Sequence, residues 1–336
     1  MSEMNNNTPI LQIEDLTVHY VVEGDTTEAV NHITLDLEQG KSLGIVGETG
    51  AGKTTTALSI LRLVPDPPGR IVSGTVKING KDVYKATKAE LEHIRGNEVS
   101  MIFQDPMTVL NPVFTIGEQI AECVQIHEKC SKADAMRRAV EMLEMVGISA
   151  ERINDYPHQF SGGMKQRVVI AIALACTPAL LIADEPTTAL DVTIQAQVLE
   201  LMKDLMKKIN TALIMITHDL GIVAEICEDV AVMYAGRIIE HGTLEDVFRR
   251  TKHPYTEGLF NSLPNIYDRK AALKPIPGLM PDPTNLPKGC AFAPRCAYAT
   301  ERCLTERPEL LHHTDTHKVA CLRYEEDGFQ IERSKK

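Results

Sequence analysis

Along this chain the apolar residues change their spacing repeatedly, and each change marks a different kind of element. Residues 11–20 and 29–37 alternate apolar and polar side chains as half-buried strands do, and Glu38-Gln39-Gly40-Lys41 makes the turn that follows. Residues 42–46 read as a buried strand, and residues 54–63 carry an apolar stripe at helical spacing. Pro65-Asp66-Pro67-Pro68-Gly69 breaks the chain before a short strand pair around residues 71–78. A helix over 88–95 and a buried strand over 99–103 follow. From residue 105 to about 160 the pattern is helical. There Ala133, Met136, Ala139, Val140, Met142, Leu143 and Val146 recur at helical spacing, with the methionines as core filler. Strand–helix alternation then resumes with strand 179–183, helix 192–209, strand 212–216 and strand 230–233. That alternation predicts an α/β sheet with helical crossovers. No internal repeat or low-complexity tract interrupts it.

A chain of 336 residues holds one large domain with an extension, or two domains. Its 43% hydrophobic and 24% charged residues suit an ordinary globular core. A net charge of -11 argues against nucleic acid held by bulk electrostatics. The first residues, Met1 to Asn7, lack the basic and apolar parts of a signal peptide. The longest apolar run, 168–176, is half the length needed to span a bilayer. These features predict a soluble, cytosolic protein that meets a membrane through a partner. Of the eight cysteines, Cys123, Cys130, Cys176 and Cys227 are scattered, whereas Cys290, Cys296, Cys303 and Cys321 crowd the C-terminus. In a reducing compartment they are not read as disulfides by default.

Chemistry enters at Gly47-Glu48-Thr49-Gly50-Ala51-Gly52-Lys53-Thr54, which fits the phosphate-loop pattern GxxxxGK[ST] between a strand and a helix. Glycines let successive backbone N–H groups face phosphate oxygens at a helix N-terminus that favours negative charge. Lys53 would reach the β- and γ-phosphates, the Thr54 hydroxyl would ligate Mg²⁺, and Thr55 follows at the same site. A second fixed point is Leu180-Leu181-Ile182-Ala183-Asp184-Glu185, an apolar strand with two carboxylates at its C-terminal end, where α/β sheets keep their ligands. Asp184 is placed to hold Mg²⁺, and Glu185 to accept a proton from the attacking water. An acidic turn at the end of a surface strand is the plainer alternative, and the phosphate loop upstream argues against it.

Between these points lies Phe160-Ser161-Gly162-Gly163-Met164-Lys165-Gln166-Arg167, opening an apolar helix. With the phosphate loop upstream and Ala183-Asp184-Glu185-Pro186-Thr187-Thr188-Ala189-Leu190-Asp191 downstream, it resembles the ATP-binding cassette (ABC) ATPases over roughly residues 11–250. The resemblance implies a P-loop NTPase fold: a RecA-like α/β core with an antiparallel β subdomain and a helical subdomain, about 105–165, within a domain spanning 1–250. It implies that Tyr20 stacks on adenine, that Gln104 senses Mg²⁺ and couples to the transport partner, and that Asp191 reaches across a dimer. It also implies that His218 contacts the γ-phosphate. Ser161, Gly162 and Gly163 would cover ATP held by a second cassette, since they lie too far away to serve their own loop. Met164 stands where many relatives have glutamine.

From residue 251 the character changes. His253-Pro254-Tyr255-Thr256, Leu259, Ser262-Leu263-Pro264, Ile276-Pro277-Gly278 and the prolines up to Pro287 look like the tail of ATPases serving dipeptide, oligopeptide and nickel importers. The run from Phe103 to Pro112 and Tyr156-Pro157-His158-Gln159 point to the same subgroup. Its members pair with a paralogous ATPase, or a second copy, under two membrane permease subunits on the cytoplasmic face. An extracytoplasmic binding protein delivers their substrate. Cys290, Cys296, Cys303 and Cys321 lack the close pairs typical of zinc sites. Similar tails carry a [4Fe–4S] cluster, with zinc or free thiols as alternatives. His312, His313 and His317 read as solvent-facing linker residues. The reading from another class is a soluble cassette switch acting on ribosomes or DNA. The single cassette, the acidic charge and the importer-like tail argue against it.

Overall fold

The computed structural model describes residues 9–104, 109–187, 190–263, 274–326 and 328–335; expectations resting on residues 1–8, 105–108, 188–189 or 264 lie outside them. The chain begins with strands β1 (Leu11–Val22), β2 (Asp25–Leu37) and β3 (Ser42–Val46), then helix α1 (Lys53–Ile60). Strands β4 (Gly69–Ile78) and β5 (Lys81–Asp82), helix α2 (Lys88–His93) and strand β6 (Val99–Ile102) follow. Helices α3 (Ile116–His127), α4 (Lys132–Met145) and α5 (Gly162–Leu174) come next. They lead into β7 (Leu180–Asp184), α6 (Val192–Ile209), β8 (Ala212–Ile216), α7 (Leu220–Ile226), β9 (Asp229–Tyr234) and β10 (Arg237–Thr243). Helices α8 (Leu244–Arg249), α9 (Pro254–Asn261) and α10 (Glu301–Thr305) and strands β11 (Leu311–His312) and β12 (Lys318–Val319) complete the described elements.

Two sheets carry the fold. One is antiparallel, in the order β2-β1-β4-β5; the other runs β11-β12-β10-β9-β3-β8-β7-β6. Within the second, β9, β3, β8, β7 and β6 are parallel neighbours. Parallel strands are covered on both faces, which is why β7 and β8 are buried at every position. Successive side chains point to opposite faces. Leu180, Ile182, Ile214 and Met233 join the core shared with the antiparallel sheet and α1. Leu181, Ala183, Met215 and Val232 join the core shared with helices α3 to α6. The methionines of α4 behave as the spacing suggested: Met142 is buried, and Met136 packs against the same core.

The tail is stitched into this sheet. β12 pairs antiparallel with β10, Glu240 opposite Val319, so the chain past residue 250 extends the edge of the main sheet. Beneath that edge is a buried polar knot. The Glu240 carboxylate accepts from the backbone N–H groups of Lys252 (2.6 Å) and His253 (3.1 Å), and His317 Nε2 lies 2.8 Å from it. His317 is therefore not a linker residue facing solvent: it is 1% exposed and pairs with a carboxylate contributed 77 positions earlier. His312 and His313 are exposed.

His253 sits in the same knot, its Nδ1 accepting from the Tyr255 N–H at 3.0 Å. Burial pushes its pKa from 6.5 down to about 3, and a hydrogen bond with the Ala320 backbone offsets this only in part. The unfolded chain binds that proton below pH 6.5 and the folded chain does not until near pH 3, so stability is lost as pH falls through this window. Chemical denaturation between pH 7 and 4 is expected to show this loss. A His253→Asn variant, which keeps an acceptor for Tyr255, should flatten it by up to about 1.4 kcal/mol per pH unit. An unchanged slope would remove His253 as the linked group.

Candidate active site

The loop between β3 and α1 has the shape that phosphate binding requires. Gly50 and Gly52 have φ of 84° and 96°, a left-handed backbone that glycine adopts without strain. A Cβ on Gly52 would lie 2.3 Å from the Ala29 carbonyl oxygen, so no other residue fits there. No side chain caps the N-terminus of α1, leaving the first helical N–H groups directed at the loop. Lys53 folds back over the loop, its Nζ donating to the carbonyls of Gly47 (2.8 Å) and Glu48 (3.0 Å). Burial lowers its pKa; Glu185, Asp184 and Glu48 oppose that shift.

Strand β7 delivers the carboxylates beside it. Asp184 is buried, which raises its pKa, and a hydrogen bond from the Thr54 side chain works the other way. Glu185 follows in a left-handed conformation (φ 47°), uncommon for a residue with a side chain and typical of functional sites. Its backbone N–H is anchored on the Ile216 carbonyl at 2.9 Å. Its carboxylate accepts from Gln104 Nε2 at 3.2 Å, and His218 Nδ1 lies 2.8 Å from its other oxygen. Three residues from three loops thus meet at one carboxylate.

Apart from Asp184, which is buried and does not border it, these groups line a cleft of about 420 Å³. Tyr20, Thr49, Gly50, Gly52, Lys53, Thr54, Thr55, Gln104, Glu185 and His218 all border it, so the structure brings together most of the residues expected at the nucleotide site. Thr27, Ala29 and Pro283 join them unforeseen. Thr27 and Ala29 carry no chemical signature, and Pro283 belongs to a tail whose docking no local pattern reveals. Gly47 and Ala51 shape the loop without bordering the cleft. Ser161, Gly162, Gly163 and Asp191 stand elsewhere. Ser161 Oγ caps α5 by accepting from the Met164 N–H (3.4 Å), and Asp191 caps α6 by accepting from Ile194 (3.0 Å). Gly163 lets the two helix starts close up, since a Cβ there would meet Ile194 at 2.4 Å.

Glu48, expected among the phosphate-facing residues, turns towards the tail instead. Its N–H donates to the Tyr255 hydroxyl at 2.9 Å, and its carboxylate accepts from Arg295 at 3.1 and 3.2 Å. Arg295 also donates to the Tyr234 hydroxyl (3.3 Å). Tyr234, Tyr255 and Phe292 pack ring on ring beneath, with centroids 4.6 to 5.4 Å apart. The Arg295 side chain is 7% exposed and that of Glu48 31%, so the pair is dry on its arginine side and half-buried on its carboxylate side.

The four C-terminal cysteines line one small pocket with Phe292 and Arg323. Burial raises the thiol pKa values, to about 11 at Cys296 and about 12 at Cys321, and also raises Cys290. Hydrogen-bond donors surround the sulfurs: the Tyr298 N–H on Cys296 and backbone groups of Phe292 and Ala293 on Cys290. Arg323 Nε, buried at this pocket, has no partner. No group of three or more His, Cys, Asp or Glu among the described residues is placed to hold a metal ion. A lone zinc, needing sulfurs at about 2.3 Å, does not fit the cysteines as they stand. Four thiols bordering one small pocket, with N–H donors beside two of them, are the donor type that both zinc and iron–sulfur groups use.

Residues 30–188 match the family model described as ABC transporter, and residues 239–303 match that described as oligopeptide/dipeptide transporter, C-terminal region. The chain is 51% identical over 321 residues to the oligopeptide transport ATP-binding protein AppD of Bacillus subtilis (strain 168), covering 95% of this chain and 98% of that one. It is 49% identical over 328 residues to OppD, an oligopeptide transport ATP-binding protein of the same organism, covering 97% and 92%. Among solved structures, the dimeric post-hydrolysis state of the ATP-binding cassette MJ0796 bound to ADP and Pi is similar, with a TM-score of 0.62 at 27% identity. That match covers 70% of this chain and 98% of the other.

Breaking the Glu48–Arg295 pair is expected to loosen the phosphate loop. Arg295→Gln leaves a half-buried carboxylate without its cation and should cost about 1–3 kcal/mol of stability. In a double-mutant cycle with Glu48→Gln the two losses should fail to add by more than about 0.5 kcal/mol. Additive losses would mean that the pair holds nothing.

Proposed function

The chain belongs to the ABC transporter family, as an ATP-binding subunit of the oligopeptide/dipeptide type, and from that premise we propose that it hydrolyses ATP to drive peptide import. The observation that carries the reading is the Glu185 carboxylate, held between Gln104 and His218 at the mouth of the phosphate-loop cleft. Glu185 accepts a proton from the water that attacks the γ-phosphate in line. Lys53 and the loop N–H groups offset the charge that develops on the phosphoryl oxygens, His218 positions them, and Tyr20 stacks on the base. Thr54, Asp184 and Gln104 are the oxygen donors that would hold Mg²⁺, which when bound adds positive charge at the transferring phosphoryl.

Ser161, Gly163 and Asp191, apart from their own cleft, serve the nucleotide of a sister ATPase, either a paralogue or a second copy of this chain. The dimeric relative bound to ADP and Pi supports that arrangement. No helix among the described residues is long and apolar enough to cross a membrane. Two permease subunits therefore supply the path for the peptide, and this subunit docks on their cytoplasmic face. An extracytoplasmic protein hands the peptide over.

We read the tail as holding a [4Fe–4S] cluster through Cys290, Cys296, Cys303 and Cys321, with zinc as the alternative. The shared pocket, the N–H donors and the unpartnered Arg323 Nε support it. When bound, the cluster staples the proline-rich tail.

Glu185→Gln is expected to keep ATP binding while hydrolysis falls by about 10²–10⁴-fold. Wild-type protein should co-purify with integral membrane proteins. Ordinary turnover by the variant, or co-purification with ribosomes in place of permeases, would sink the assignment. Anaerobically purified protein should be brown, with about four irons per chain, and Cys296→Ser should lose them. A colourless wild type with one zinc would end the cluster reading.

A further inference from the structure

Apart from the nucleotide cleft, a cavity of about 530 Å³ opens where the antiparallel sheet, the turn between β9 and β10 and the tail meet. Its size is that of a small-molecule site. Ile238, Ile239, Leu286 and Phe292 give it apolar walls. Two guanidinium groups border it, from Arg237 on β10 and from Arg307 beyond α10. Arg237 donates to the Pro308 carbonyl (3.4 Å) and Arg307 to that of Pro287 (3.1 Å). A guanidinium carries five N–H donors, so most of theirs are uncommitted. Among the described residues no carboxylate lies within ion-pair distance of either.

Two like charges in a half-buried apolar cavity repel, and burial together with Arg307 lowers the pKa of Arg237. Lys318 adds a third cation to the lining. Two carboxylates balance them in part. Asp15, hydrogen-bonded to His32 at 2.6 Å, and Glu309 both border the cavity and act on Arg237 from a distance. The cavity thus offers a cationic pair suited to a carboxylate, one anion suited to an ammonium, and apolar surface between them.

We propose that this cavity binds short zwitterionic peptides: Arg237 and Arg307 take the C-terminal carboxylate, Glu309 takes the α-ammonium, and the apolar walls take the side chains. The proposal rests on the peptide-import reading for its meaning, because the ligand class is then that of the cargo after delivery. Position gives the site a purpose. Tyr234 borders the cavity and accepts from Arg295, the partner of Glu48. Ala235 also borders it, and the next residue, Gly236, donates its N–H to the Ala51 carbonyl of the phosphate loop at 3.0 Å. An occupant would touch Tyr234, two hydrogen bonds from Glu48 of the loop that grips ATP, and Ala235, whose neighbour Gly236 bonds that loop directly.

The test is titration calorimetry on the full chain with the dipeptide Leu-Leu. Saturable one-to-one binding is expected, at least tenfold weaker for N-acetyl-Leu-Leu-amide, which carries neither charge. Arg237→Gln should weaken binding at least tenfold. Arg307→Gln, at the exposed rim where folding is unaffected, should do the same; both variants should bind MgATP as wild type does. Absence of Leu-Leu binding, equal binding by both variants, or binding of inorganic phosphate without Leu-Leu would overturn the proposal. Vesicles with the assembled transporter separate the two readings. Leu-Leu uptake without binding to the isolated chain overturns this site and leaves import standing. Binding of Leu-Leu, lost in both variants, without peptide uptake supports this site and overturns import.

Discussion

A loop that binds phosphate through its own backbone must leave N–H groups free for the ligand, so it cannot hold its shape with them as a helix or strand does. That constraint governs this molecule. The helix start after Gly52 has no side-chain cap, and the loop carries left-handed glycines and a buried lysine. Such a segment keeps its shape only if its surroundings hold it. β3 anchors it from the middle of the parallel sheet, Ala29 crowds it from the antiparallel sheet, and Tyr255 and Arg295 grip Glu48 from the tail. Three parts of the chain converge on six residues.

The same geometry gathers one group of polar side chains at the cleft and leaves another apart from it. Gln104, Glu185 and His218 come from the ends of three neighbouring segments of one sheet and meet without a long reach. Ser161 and Asp191 cap two helices that close on each other through Gly163, and they do not border that cleft. Helix starts that favour anions are put to use only where an anion can arrive.

Much of the fold could be read from local pattern because its central elements are set by burial. Helix 192–209 and strand 212–216 fall where their spacing put them, and the other core strands within a residue or two. Strand 11–20 and the helix after the phosphate loop differ at their ends, where fraying and capping decide. What pattern could not show depends on distant partners. His317 looked like any polar linker residue until Glu240 was found beneath it. Glu48 fell inside a phosphate-binding motif, and only the fold reveals that Arg295, 247 positions away, claims its carboxylate. Thr27 reaches the cleft opposite Tyr20 in the β1–β2 ladder, and Pro283 is held there by its carbonyl, which accepts from the Glu28 N–H at 2.9 Å.

The reach of Arg295 to Glu48 also bears on how the protein is made. The phosphate loop leaves the ribosome early, while the arginine that fastens it, the proline that walls its cleft and the strand that seals the sheet edge all emerge near the end of synthesis. A nascent chain therefore carries an unfastened loop until its last segment is released, and an interrupted one never acquires the clasp. Length thereby becomes a checkpoint on the engine: partial products that already display the nucleotide motif lack the part that sets its grip.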